Sequence, residues 1–169
     1  RSEVTEDILG ETGYSLMIVA YKLKGQKQLE TVIVQDTTWT SDTIRVNKDS
    51  FYLQPRIVAV TPTKVEKEVF IPAPEYAERF QQEVNPLAEA AARAGWKVYA
   101  ITTYGDAESA SDFAARIGAT YPFYKADDKL LKTIIRANPG IVVWKDGMVL
   151  DMYHHRHLPT FEALSGKWK

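Results

Sequence analysis

The three histidines of the chain are His154, His155 and His157, and Arg156 lies among them. Imidazole is the commonest metal ligand and transfers protons near neutral pH. On a strand His155 and His157 would share one face, and a carboxylate such as Asp151 could add a third ligand. Zinc or copper needs three or four convergent ligands, and Arg156 opposes a bound cation. These residues are therefore candidates for a metal site, but exposed histidines at the end of a sheet are the favoured interpretation.

The chain contains no cysteine. A thiolate is required for disulfide exchange, for cysteine nucleophiles and for thiolate metal sites. Composition alone therefore excludes a disulfide framework and any dithiol redox activity.

Other groups of polar residues do not predict an enzyme. Asp127 and Asp128 precede an apolar helical pattern, so an N-cap explains them better than paired catalytic carboxylates. The Ser and Asp residues at positions 109–112 have no histidine nearby in sequence with which to form a nucleophile constellation, and no Gly-rich phosphate loop is present. A metal-dependent or acid/base enzyme that uses His154, His155 and His157 remains the alternative hypothesis.

The elements that must position these residues follow from apolar patterns. Residues 14–21 form a short, continuous apolar segment typical of a central strand buried on both faces, and residues 96–103 are predicted to be a second core strand. Residues 141–145 and 148–153 flank Asp146-Gly147, the pair preferred in a tight hairpin turn. The sequence therefore predicts a mixed sheet that ends in a β-hairpin.

Helical spacing predicts a helix over residues 75–94, kinked by Pro86 and ended by a left-handed Gly95. A second helix is predicted from an Asp106 cap to about residue 117, and a third from Asp127 or Asp128. A final short helix follows near residues 161–164. No helical segment reaches the roughly 18 apolar residues that a membrane span needs.

Residues 26–71 differ from the rest of the chain in their pattern of apolar and polar residues. Short β-branched segments alternate there with polar stretches and prolines, which predicts two or three short strands in a β-rich insertion. Trp39, Phe51 and Tyr52 are hard to bury in such a segment. Because aromatic side chains are enriched at interface cores, these three are the predicted interaction surface.

Length and charge bound the remaining possibilities. The 169 residues include 21 basic and 22 acidic side chains and 45% apolar residues, typical of one globular domain over residues 1–169. A net charge of −1 argues against nucleic acid or an anionic membrane as the main partner. The lack of an apolar run long enough to span a bilayer argues against insertion of this fragment into a membrane. Residues 1–12 are predicted to be a linker or a short helix. The start at Arg1 favours a soluble domain excised from a longer polypeptide.

The order strand, insertion, helix, strand, two helices, proline, hairpin and helix resembles the thioredoxin fold. Residues 119–128 and 134–147 are similar to the second half of thioredoxin-like and TlpA-like domains, with Pro139 at the family's cis-proline position. Residues 130–140 and 144–147 are also similar to the C-terminal domain of some bacterial DoxX-family membrane proteins. The resemblance implies a three-layer α/β fold, a mixed β-sheet flanked by helices, with residues 26–71 inserted after the first core strand.

The family carries Cys-x-x-Cys just after its first core strand, whereas residues 21–25 hold no sulfur. The resemblance therefore implies a non-catalytic binding or assembly domain with no cofactor and a protein or peptide partner. It also implies tethering to a membrane segment of the full-length protein, at the bacterial inner membrane. In such a fold an extended peptide would bind a groove where the first strand ends, lined by Tyr21, Asn138, Pro139 and Gly140.

Overall fold

The computed structural model describes residue 10, residues 12–47 and residues 50–168. The chain divides into two compact units. The first, called the sheet unit here, comprises Arg1–Lys27 and Phe70–Lys169, and the second, called the ribbon, is Gln28–Val69. The ribbon lies within the predicted insertion at residues 26–71. The linker or short helix predicted over residues 1–12 lies almost entirely outside the described residues.

The described residues form seven strands and five α-helices. The strands are β1 (Tyr14–Ala20), β2 (Gly25–Asn47), β3 (Ser50–Pro72), β4 (Lys97–Thr103), β5 (Phe123–Ala126), β6 (Gly140–Lys145) and β7 (Met148–His154). The helices are α1 (Pro74–Arg79), α2 (Asn85–Arg93), α3 (Ser109–Ile117), α4 (Asp128–Ile134) and α5 (Phe161–Gly166). A π-helix joins α1 to α2 at Phe80–Val84, and 3₁₀ turns lie at Tyr104–Asp106 and His155–His157. None of these helices is long and apolar enough to cross a membrane.

The sheet unit is built on a five-stranded sheet of order β5-β4-β1-β6-β7. Strand β1 pairs parallel with β4, and β4 pairs parallel with β5. On its other side β1 pairs antiparallel with β6, which pairs antiparallel with β7. The protein is therefore mixed α/β, with β1 at the centre of the sheet.

Side chains of β1 alternate between two apolar cores. Leu16 and Ile18 belong to a large cluster with α1, the π-helix, α2, α3 and α5. Met17 and Val19 belong to a smaller cluster with α4. Because successive strand residues point to opposite faces, the continuous apolar segment has a helical layer to pack against on each side.

The hairpin at Asp146-Gly147 is confirmed. Asp146 has φ 49° and Gly147 φ 78°, and the pair joins β6 to β7. Gly95 ends its helix with φ 84°, also as predicted. Both positions lie in the left-handed region, which glycine and, less readily, aspartate adopt.

The predicted kink at Pro86 takes the form of a π-helix. The N–H of Asn85 donates to the carbonyl of Phe80, five residues back. Proline has no N–H and its ring crowds the preceding turn, so the turn before Pro86 widens. Regular α-helical hydrogen bonding then resumes in α2. The widened turn contains Glu83.

The number of strands in the ribbon lies within the predicted two or three, but the strands are much longer than expected. The ribbon contains parts of two strands of 23 residues each, β2 and β3, in a separate two-stranded sheet. Their short connection makes them antiparallel. The polar stretch at residues 36–42 does not interrupt β2, because Thr and Trp favour the extended conformation and polar side chains remain solvated on an exposed strand.

Candidate functional site

The loops predicted to form the peptide groove lie side by side. The Tyr21 hydroxyl donates to the Arg136 carbonyl at 3.2 Å, and the Asn138 Nδ2 donates to the Lys22 carbonyl at 2.7 Å. The Asn138–Pro139 peptide bond is cis. The end of β1 and the segment before β6 are therefore joined directly by side-chain hydrogen bonds.

A buried tyrosine holds Asn138 from the other side. The Tyr76 hydroxyl donates to Asn138 Oδ1 at 3.1 Å. Burial, with a smaller effect of the Asp106 carboxylate, raises the pKa of Tyr76 far above its ordinary value. The hydroxyl therefore stays neutral and remains a donor.

Asp106 does not cap α3, which begins at Ser109. Its carboxylate accepts hydrogen bonds from the Leu23 N–H at 3.0 Å and the Thr103 hydroxyl at 3.3 Å. A cap was predicted from local sequence, whereas the side chain instead ties the loop after β1 to the end of β4.

Pro139 and Gly140 contribute little accessible surface to the groove. Both are buried, and Gly140 pairs with Val19 on one side and His154 on the other. A Cβ at Gly140 would lie 2.6 Å from Ile135 Cδ1. Strand pairing thus occupies the backbone of Gly140, and the accessible part of the predicted site is formed by Tyr21 and Asn138.

Beside Tyr21 lies an open depression of about 550 Å³ lined by Tyr21, Lys132, Thr133 and Arg136. The Lys132 ammonium lies 5.7 Å from the centre of the Tyr21 ring and 2.7 Å from an Asp128 carboxylate oxygen. The depression therefore brings one aromatic ring and two cationic side chains together.

The histidines do not occupy a strand together. Residues His155–His157 form a 3₁₀ turn, so the prediction that His155 and His157 share a strand face is wrong. His154 Nδ1 accepts from the Arg156 N–H at 3.2 Å, and its ring lies 4.3 Å from that of His155. Burial, followed by the adjacent His155, lowers the pKa of His154.

Asp151 is engaged away from the histidines. It accepts from the Tyr153 hydroxyl at 2.6 Å and from the Lys167 ammonium at 2.9 Å. The same two groups raise the pKa of Lys167 to about 12. Within residues 12–47 and 50–168 no group of three or more histidine or carboxylate side chains could hold a metal ion. The structure therefore does not bring His155, His157 and Asp151 together as a metal site.

His155 instead pairs with Glu83. The two residues are far apart in sequence, yet His155 Nδ1 lies 3.0 Å from Glu83 Oε2 and the imidazole is buried. They share a cleft of about 420 Å³ whose apolar wall includes Leu87, Leu158 and Phe161. Sequence reasoning missed Glu83, because only the packing of the π-helix against the C-terminal 3₁₀ turn places it there.

The three aromatic residues of the predicted interaction surface lie on the ribbon and are exposed. Trp39, Phe51 and Tyr52 are 61%, 66% and 52% exposed. Further exposed apolar residues on the ribbon are Leu29, Ile33, Val34, Val46, Leu53, Ile57, Val58, Val60 and Val65. Because side chains alternate along a strand, Ile33 and Val34 of β2 point to opposite faces, and so do Ile57 and Val58 of β3. Both faces of the ribbon therefore present apolar side chains to solvent.

Charge on the ribbon is mixed. Its sequence has five basic and six acidic residues. Arg56 Nε lies 3.2 Å from Asp42 Oδ2, which places these two side chains on one face. The ribbon therefore carries charges of both signs along its sequence.

Comparison with protein-family models, with curated proteins and with solved structures found no significant match to the chain.

Proposed function

We propose that the chain is a thioredoxin-like domain without dithiol redox activity that acts in binding or assembly within a larger bacterial membrane-associated protein. The ribbon is its principal contact surface. In this proposal the domain is tethered at the inner membrane and its partner is a protein or peptide.

The topology of the sheet unit supports the thioredoxin-like assignment. A parallel β1–β4 pair is followed by an antiparallel β6–β7 hairpin and a terminal helix, with helices on both faces of the sheet. The absence of cysteine excludes the redox reaction of that family. An insulin-reduction assay with dithiothreitol is therefore expected to give only background turnover.

The observation that carries the binding function is the exposure of Trp39, Phe51 and Tyr52 on a two-stranded sheet. An isolated two-stranded sheet is marginally stable in water, and large exposed apolar patches on proteins mark contact sites. A partner that covers these side chains removes apolar area from water and orders the ribbon at the same time.

Site-specific photo-crosslinking tests this proposal. Tyr52 in the ribbon and Tyr104 in the sheet unit are both exposed tyrosines, so replacing each in turn with a photoreactive phenylalanine gives a matched pair. In cells that express the full-length protein, we expect a protein adduct at position 52 and much less at position 104. Equal yields at the two positions, or no adduct at position 52, would reject the exposed aromatic side chains of the ribbon as the contact surface.

The groove at Tyr21 and Asn138 is the second contact surface in the proposal. It is tested by amide chemical-shift perturbation with extended peptides, including loops of the full-length protein. Shifts at Tyr21 and Asn138 support peptide binding. Shifts confined to Trp39, Phe51 and Tyr52 would reject the groove and leave the ribbon as the single contact surface of the proposal.

The Glu83–His155 pair favours one alternative, an acid/base enzyme. A carboxylate on one imidazole nitrogen orients the ring and leaves the other nitrogen to exchange a proton with a substrate, which is the arrangement of a general base. Within the described residues Nδ1 is the ring nitrogen that is bonded, and Nε2 is left without a protein partner. Hydrolysis of ester or phosphoester substrates that is lost in both His155→Gln and Glu83→Gln would favour this function over binding.

A further inference from the structure

The outer edge of β2 has the properties of a strand-addition site. In the two-stranded sheet β2 pairs with β3, and no other described strand lies beside it. Alternate backbone N–H and C=O groups along the other side of β2 therefore point away from β3. Such an edge pairs readily with another strand unless the sequence prevents it.

The two edges of the ribbon differ in how well they are protected. Strand β3 carries Pro55 and Pro62 in its interior. Because the direction of the N–H alternates along a regular strand, positions seven apart face opposite edges. One of the two rings thus lies on the edge away from β2, where it removes a donor and obstructs an incoming strand.

Strand β2 has no equivalent protection. Residues 28–46 contain no proline, no glycine and no lysine, and more than half of them are Thr, Val or Ile. At about 3.3 Å per residue this segment extends for roughly 60 Å. The charged residues of this segment are Glu30, Asp36, Asp42 and Arg45, with no lysine among them. A long edge of high strand propensity without proline is a template for pairing with another strand.

We propose that β2 of one copy of the chain adds antiparallel to β2 of a second copy, which gives a four-stranded sheet of order β3-β2-β2-β3. The proposal rests on the ribbon being a contact surface and names its partner. The dimer is isologous, since the same edge of each copy contributes the same strand.

Three observations favour a second copy over a different protein. A second β2 matches the length of the first, so all of residues 28–46 can be paired. The proline-bearing β3 edges face outward in the product, so the assembly stops at two copies and does not extend into a fibre. The edge shared by the two copies is also roughly 60 Å long. With the side chains that meet along it, an edge of this length can bury the roughly 1,200–2,000 Å² of a stable interface.

Full pairing of residues 28–46 places the two-fold axis, and the charges along β2 are compatible with that position. Residue 37 is the midpoint of residues 28–46, and an axis there puts Thr37 opposite Thr37 of the second copy. Glu30 then lies opposite Ile44, and Asp36 opposite Thr38, so no like charges meet directly. An axis one residue earlier would put Asp36 opposite itself and Glu30 opposite Asp42, which is unfavourable.

Cysteine scanning tests the register, because the chain has no native cysteine. Opposite residues of an antiparallel pair have Cβ atoms about 4.5–5.5 Å apart, within reach of a short thiol crosslinker. Thr37→Cys is expected to crosslink into a covalent dimer. Thr31→Cys is the matched control on the same face of β2, where the two copies would be roughly 40 Å apart. Thr61→Cys tests the β3 edge, and both controls are expected to remain uncrosslinked.

Charge exchange at the axis gives a second, independent measurement. Thr37→Lys and Thr37→Asp each place like charges opposite, so each alone should weaken dimerisation by roughly two- to five-fold in sedimentation equilibrium. Mixing the two variants should restore or exceed wild-type association, because unlike charges then meet. Variants that fold poorly would show it by circular dichroism and would not recover on mixing.

The outcomes separate this inference from the proposed function. A monomer at the concentrations used for crosslinking, equal crosslinking at positions 31 and 37, or crosslinking at position 61 overturns the β2–β2 dimer. If position 52 nevertheless yields an adduct with another protein in cells, the ribbon is still a contact surface and only the identity of its partner is wrong. If position 52 yields no adduct and the chain is monomeric, both proposals fail.

Discussion

Strands β1 and β2 share one sequence feature and have opposite surroundings. Strand β1 spans seven residues, pairs with a neighbour on each side and is buried along nearly its whole length. Strand β2 spans 23 residues, has one neighbour and leaves Ile33 and Val34 exposed on opposite faces. Each includes a run of β-branched and aliphatic residues.

The difference shows that strand propensity does not determine how a strand is stabilised. Burial of Leu16, Met17, Ile18 and Val19 stabilises β1 by roughly 1.5–3 kcal/mol for each side chain. The exposed side chains of β2 contribute little of this kind within one copy of the chain. The order of the ribbon therefore depends on strand pairing and, in our proposal, on a second copy.

Matched phenylalanine substitutions give the largest expected contrast. Phe113 is fully buried and its ring packs edge-on against Phe70 and Phe80. Phe113→Ala should lower the free energy of unfolding by about 3–5 kcal/mol. Phe51→Ala in the ribbon, at a concentration where the chain is monomeric, should change it by less than about 0.5 kcal/mol. Urea denaturation measures both, and comparable losses would contradict the division between a buried and an exposed region.

The next largest loss of stability is expected on removing the buried Asn85 side chain, which joins two segments by hydrogen bonds. Asn85 Nδ2 donates to the Ile117 carbonyl at 2.8 Å, and its Oδ1 accepts from the Tyr121 hydroxyl at 2.9 Å. Asn85→Ala leaves both groups buried without these bonds, so a loss of about 1–3 kcal/mol is expected. Gln54→Ala at an exposed ribbon position is the control and should be nearly neutral. If Asn85→Ala were also neutral, polar contacts between α2 and α3 would not contribute to the stability of the sheet unit.

Helix α4 allows the contribution of a capping residue to be compared with that of a surface ion pair. Asp127 Oδ1 accepts from the Lys129 and Leu130 N–H groups at 2.9 and 3.1 Å, whereas Asp128 pairs with Lys132 on the helix surface. Asp127→Ala should cost about 1 kcal/mol and Asp128→Ala no more than about 0.5 kcal/mol. Thermal denaturation of the two variants measures the contrast. A larger loss for Asp128→Ala would reverse the assignment of the cap.

Much of the sheet unit is predictable from sequence because its signals are local. The Asp146-Gly147 turn requires left-handed backbone angles, and the alternating cores follow from one short apolar segment at β1. The length of β2 was not predictable, since polar residues end a buried strand but are tolerated in an exposed one. Exposure depends on which neighbours are present.

The candidate site is less predictable than the fold. Tyr21 and Asn138 could be placed together because the ends of two central strands lie close in a sheet. The Glu83–His155 contact depends on a π-helix and a 3₁₀ turn from distant parts of the chain, and no residue pattern predicts that distance. Asp106 likewise forms hydrogen bonds to Leu23 and Thr103 instead of a local cap.

Two surface ion pairs, one in each unit, give the smallest expected effect and test whether the units are stabilised separately. In the sheet unit the Tyr153 hydroxyl, and then Lys167, hold the pKa of Asp151 below its ordinary value of 3.8. A carboxylate with a lowered folded-state pKa stabilises the fold above its unfolded pKa, and this contribution is lost as pH falls through the folded-state pKa. Because Asp151 is partly exposed, Asp151→Asn should cost less than about 1 kcal/mol at pH 7.

The difference between wild type and Asp151→Asn should therefore shrink as pH falls below about 4, measured by urea denaturation at each pH. Asp42→Asn removes the matched carboxylate that faces Arg56 in the ribbon. It should leave the unfolding of the sheet unit unchanged at pH 7, because neither residue of that pair belongs to the sheet unit. A pH-independent loss in Asp151→Asn would contradict the role of its charge. An equal loss in Asp42→Asn would show that the ribbon and the sheet unit unfold together, so the exposed strands would contribute directly to the stability of the buried ones.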